Sequence, residues 1–320
     1  MLGYKGGQQA GDIVVAHKNL LLAITTNFFA GQRLDDVRKS VRDFILKIGD
    51  KRIFFGNSVL LLAHVKSLQE GPDAVIEDGN LPSETEILAD PISGPSVLLF
   101  GKVHNLTRAF LFRQMFDATL HIGISEAVAE ECHLLKTYFV MGYFFEGLAS
   151  FQLARLNKSA TAWVDRGRKV LERLRCWSGH SSWNWENKYM LLEAENKYTE
   201  GDFASAESLY DSAIQSAHAH AFIHEEAIAC ELAGAFYHER GFHQESYPYF
   251  MHSIKSYNEW GAFAVARRVE TFVRGKFRTE GNDQADTAVT SSHHWIIFLY
   301  SVNVRRNDLD SENKKLVDVL

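Results

Sequence analysis

The chain has 320 residues and a formal net charge of −6. Its hydrophobic share of 46% and charged share of 23% are those of a packed protein. They exclude a disordered chain, a collagen-like chain and a strongly basic nucleic-acid binder. At about 150 residues per domain, the length fits two domains or one extended repeat array.

In chain order, residues 11–30 read as an apolar helix with few charges, stopped by Gly31. From Leu34 to Ile48, apolar residues recur every three or four positions at Leu34, Val37, Val41, Phe44, Ile45 and Ile48. That spacing predicts one apolar stripe on a helix. A third helix is predicted over 53–69, closing a unit of helical hairpins, 1–70. Residues 71–95 carry four of the five prolines and six acidic residues, with no Lys or Arg. This is the composition of a solvated loop. From Ser96 the helical period returns. Helices are predicted near 96–115, 124–136, 137–156, 158–175, 185–200, 202–219, 221–240, 242–260 and 261–274, within a repeat region 96–275. The tail, 276–320, is polar apart from the island Trp295–Tyr300, and the expectation is poor order.

An internal repeat organises the second region. Gly201-Asp202-Phe203 and Gly241-Phe242-His243 lie forty residues apart, and at the same offset Tyr210 matches Phe250 and Ala213 matches Ser253. A fixed period of this size marks stacked helical hairpins, though a generic bundle with chance glycines also fits two copies. Gly201 and Gly241 are expected to turn the chain in the left-handed conformation, as is Gly31 near the start. Small residues such as Ala206 and Ala213 would let helices approach. Large ones such as Phe203, Tyr210 and Phe250 would fill the layers between.

The segments Asn187–Glu195, Gly201–Glu207 and Leu209–Ile214 resemble a tetratricopeptide-like region. More narrowly, with Glu225–Tyr237 and Tyr257–Ala262, they resemble the helical region of large multidomain signalling kinases. In that family a serine/threonine kinase-like domain and a predicted ATPase precede the repeats, and GAF and histidine kinase domains follow. The resemblance spans roughly residues 10–275 and implies an all-α solenoid of antiparallel helix pairs. Its motifs concern packing and do not specify chemistry, and the family's catalytic domains have no counterpart in this sequence.

Catalytic signatures are likewise missing. There is no GxxxxGK[ST], GxGxxG, HRD, DFG, GxSxG or HExxH. The cysteines Cys132, Cys176 and Cys230 form no CxxC pair, which points to reduced thiols. His218, His220 and His224 invite a metal reading, but a polar helix–helix corner is the plainer one. No cofactor or metal is expected. No secretory signal is legible, and the apolar runs are far below the ~20 residues of a bilayer span, so a cytoplasmic location is expected.

Two features suggest contacts with other proteins. Trp177, Trp183 and Trp185 cluster in CWSGHSSWNWEN, a loop-like break that is either a packed corner or an interface anchor. The helix over 11–30, with Phe28 and Phe29, is apolar all round. It is therefore expected to be covered by a partner, a second copy or a further domain. The functional expectation is a non-catalytic protein-interaction or regulatory module of a signal-transduction protein. The alternative is a fragment of a signalling kinase or ATPase whose catalytic domains lie elsewhere.

Overall fold

A computed structural model describes residues 2–48, 52–76, 81–90, 93–123, 136–156 and 161–277. Every regular element among them is a helix. The first seven are α1 (Leu2–Gln9), α2 (Ile13–Phe29), α3 (Leu34–Ile48), α4 (Arg52–Glu70), α5 (Glu84–Ala89), α6 (Pro95–Leu111) and α7 (Met115–His121). After residue 135 come α8 (Lys136–Leu156), α9 (Thr161–His180), α10 (Ser182–Glu200) and α11 (Phe203–Ala219). They are followed by α12 (Ile223–Glu239), α13 (His243–Trp260) and α14 (Phe263–Phe277). The helix expected over 124–136 and the tail beyond Phe277 lie outside the described residues.

The repeat is finer than the forty-residue spacing suggests. Consecutive helices meet at Gly201, Ala221, Gly241 and Gly261, each with positive φ and each twenty residues after the last. At every one, the next residue's N–H bonds back five residues, as in Asp202 to Lys197 and Phe222 to Ala217. This is the Schellman closure of a helix end. Gly31 ends α2 in the same way. Ala221 holds this geometry at φ 59°, where an L-residue costs about 1–2 kcal/mol.

Burial sorts the helices into two layers. Gly56 to Gln69 in α4, Met141 to Phe151 in α8 and His224 to Gly234 in α12 are buried without a break. Helices so enclosed must be covered on several sides. Helices α4, α6, α8, α10 and α12 lie side by side in sequence as that inner layer. Helices α9, α11 and α13 bury one stripe each and face outward with the rest. Ala206, Tyr210 and Ala213 are fully enclosed and Phe250 nearly so, as expected of layer fillers. Phe203 is not one of them. It is 40% exposed, because its ring serves as a platform for the Arg240 guanidinium, 4.3 Å away.

Early and late helices among the described residues come together. Helix α14 packs on α4 as well as on α13. Phe28 of α2 lies against Trp260 of α13, ring centroids 6.0 Å apart, and Arg267 donates to the terminal carbonyls Gln69 O and Glu70 O of α4. One hydrophobic core therefore runs through the hairpins of 1–70 and the repeats of 96–275.

Several sequence expectations need correction. A short helix, α1, precedes residue 11 and packs on α2, with Gly7 pressed against the Ala16 backbone. The acidic stretch 71–95 contains α5, started by a capping box. Ser83 accepts from the Glu86 N–H, and Glu86 accepts from the Ser83 N–H. The helix expected over 96–115 ends at Leu111, and a left-handed turn at Arg113 starts α7. The tryptophan-rich break is one residue, Ser181, between two helices.

Candidate functional site

The inner layer encloses a groove of about 480 Å³. Its walls come from Gln152, Arg155 and Leu156 of α8, Glu195 and Tyr198 of α10, and the stretch Glu231 to Glu239 of α12. Arg268 and Phe272 of α14 complete one side, with Arg113 and Met115 of the α6–α7 turn. Arg155, Glu195 and Ala235 are forty residues apart, as are Leu232 and Phe272. Repeat register therefore places corresponding positions of successive inner helices side by side on this wall.

Two charge clusters line it. In the first, Glu231 accepts from Arg113 Nε at 2.9 Å, from Arg268 at 2.7 Å and from the Tyr257 hydroxyl at 3.0 Å. Burial pushes the Glu231 carboxyl up, but the two guanidiniums outweigh it and hold it at about 2. In the second, Arg155 pairs with Glu195 and lies over the Tyr198 ring at 4.4 Å. Tyr198 donates to Glu239 at 2.6 Å, and Tyr210 donates to Glu195. Burial alone would lower the Arg155 guanidinium, and Glu195 more than reverses this.

Ion pairs of this depth are rarely the most stable filling for a core, because removing charges from water costs several kcal/mol per ion. Arg113 adds backbone strain. It is a non-glycine residue at φ 59°, held there while its guanidinium bonds Glu231 and Gln152. Strain and buried charge converge on one wall of the groove.

A second polar cluster sits where α2, α4 and α6 meet α12 and α13. The His64 and His104 rings stack 4.5 Å apart, both buried, with Phe28 against each. Burial pushes His64 well below its usual range, with Arg108 and His104 adding to it. Burial and then Arg108 push His104 down to about 3. His224 lies 5.3 Å from the Trp260 ring across the same seam.

The residues singled out from sequence scatter over several places. His218 and His252 flank the Glu226 carboxylate, His220 stacks on Trp183 at 4.3 Å, and His224 faces the seam. Among the described residues no three His, Cys, Asp or Glu side chains gather as metal ligands. Trp177 and Trp185 pack on each other and on the core, whereas Trp183 is 58% exposed. Phe28 is buried and Phe29 half-buried, so the chain's own C-terminal helices cover this end of α2. That corrects the expectation of an external cover for Phe28. The start of α2 remains open, with Ile13, Val14 and Val15 exposed. Cys230 is buried and its thiol pushed up, chiefly by burial; Cys176 is exposed. Among the described residues no helix is long and apolar enough to cross a membrane.

No family model, curated protein or solved structure matches the chain. The functional reading therefore rests on residues and geometry.

Proposed function

We propose that the chain is a non-catalytic protein-interaction or regulatory module of a signal-transduction protein, working in the cytoplasm. It is a tetratricopeptide-like solenoid of antiparallel helix pairs, and its inner-layer groove receives a segment of a partner protein.

The observation that carries the reading is the groove wall. It repeats with the helices, so an extended ligand would meet corresponding positions of successive repeats. Its charged groups are largely paired with one another: Glu231 accepts from Arg113, Arg268 and Tyr257, and Arg155 pairs with Glu195.

Panning a random peptide display library on the purified chain tests this. Ala235, half-buried on the wall, is the place to block. Ala235→Trp fills the groove and should abolish enrichment while the helical circular dichroism stays. Equal enrichment on both proteins would refute the groove as the docking site.

A further inference from the structure

We propose that the groove reads an extended partner segment bearing an acidic, an apolar and a basic side chain at alternate positions. This rests on the groove being a docking site, and it assigns the partner's chemistry.

The two charge clusters are opposite in balance. Arg113 and Arg268 share one carboxylate, Glu231, which leaves one positive charge in excess. Arg155 faces two carboxylates, Glu195 and Glu239, which leaves one negative charge in excess. The groove is therefore a dipole with an apolar middle where the half-buried Ala235 reaches the surface above the buried Leu232 and Phe236. At the positive end, the Arg113 and Arg268 side chains are both partly exposed, so a ligand carboxylate meets the positive charge that Glu231 leaves over. At the negative end, Glu239 is exposed and engaged by Tyr198 alone, so a ligand cation reaches it without breaking a buried pair.

Helix geometry sets the spacing. Glu231 and Glu239 are eight residues apart on α12, about 12 Å along its axis. An extended segment rises about 3.3 Å per residue, so four residues cover that distance. Positions two apart share a face, which puts the intervening apolar side chain over Leu232 to Phe236. A helical segment would need about eight residues for the same span and would turn its side chains away from the wall.

The test uses the full chain and three fluorescein-labelled peptides. One carries glutamate, leucine and arginine at alternate positions; in the others the outer two are both glutamate or both arginine. Anisotropy titrations should rank the mixed peptide first by about three- to tenfold, a margin that shrinks as salt is added. Glu239→Arg, an exposed change, should reverse the ranking in favour of the doubly acidic peptide. A structural role for Glu239 would weaken all three alike. Equal binding of all three to the wild type, or an unchanged ranking with Glu239→Arg, would overturn the charge reading and leave the groove standing. Binding of none, together with equal library enrichment on the wild type and Ala235→Trp, would overturn both.

Discussion

Mild acid should loosen the seam where α2, α4 and α6 meet α12 and α13, and His104 sets the size of the effect. Its ring is fully enclosed between His64, Phe28 and Phe100, with the Arg108 charge nearby. Burial and Arg108 lower its folded value to about 3, against 6.5 for a free imidazole. Below 6.5 the unfolded chain takes up a proton that the folded chain refuses. Stability is therefore full above about pH 7 and falls as pH drops from 6.5 toward 3. At about 1.36 kcal/mol per unit, the loss from His104 reaches about 2 kcal/mol by pH 5. His64, shifted in the same direction, adds to it. The acidic network does not confuse this window. Glu225, Glu226 and Glu231 are held at about 2 against 4.5, so their stabilisation is lost only below about pH 4.5. Urea unfolding followed by circular dichroism at about pH 7 and pH 5 measures the difference. His104→Phe keeps the ring and removes the titration, so its stability should fall by about 2 kcal/mol less between the two pH values. An identical fall in wild type and His104→Phe would refute the argument.

Other perturbations test the turns and the buried charges. Ala221→Gly relieves a left-handed alanine and should gain about 0.5–1 kcal/mol, whereas Gly201→Val should lose more than about 1 kcal/mol; both are read from urea midpoints. Glu231→Gln leaves the Arg113 and Arg268 guanidiniums without a countercharge, and thermal unfolding should show a loss of about 3–5 kcal/mol. Phe28→Ala removes the ring between α2 and Trp260 and should cost about 3–5 kcal/mol in the same assay.

Much of the helical order was legible because glycine marks it. Gly201 and Gly241 expose the forty-residue period, and the apolar stripe of Leu34 to Ile48 is wholly buried as its spacing requires. The twenty-residue half-period was hidden where another residue bears the same strain. Ala221 and Arg113 adopt positive φ with no glycine to announce it. Helix α1 lies in the glycine-rich start of the chain, where Gly7 allows a close approach to α2: a Cβ there would come within 2.8 Å of Ala16 N. The Ser83–Glu86 capping box is a local signal, masked by the prolines and acidic residues around it.

The groove was harder to foresee, because its charges are joined by topology and not by sequence. Arg113 and Glu231 are 118 residues apart, and they meet only because the fold brings the turn after α6 onto α12. One signal was present. Arg155 and Glu195 stand forty residues apart, the repeat period itself, so the period alone predicts opposite charges on neighbouring inner helices. Had the period been applied to charged residues as well as to glycines and aromatics, this pair would have stood out. The seam could not be found in that way. A solenoid read from its sequence has two free ends, and the expectation of an external cover for the helix over 11–30 follows from that picture. Here α14, the last helix among the described residues, returns to α4, and Trp260 covers Phe28. The exposed cost of the N-terminal end is thus met largely within the chain. That leaves Ile13, Val14 and Val15 as a small bare strip, whereas the inner groove is a recess with polar groups at both ends.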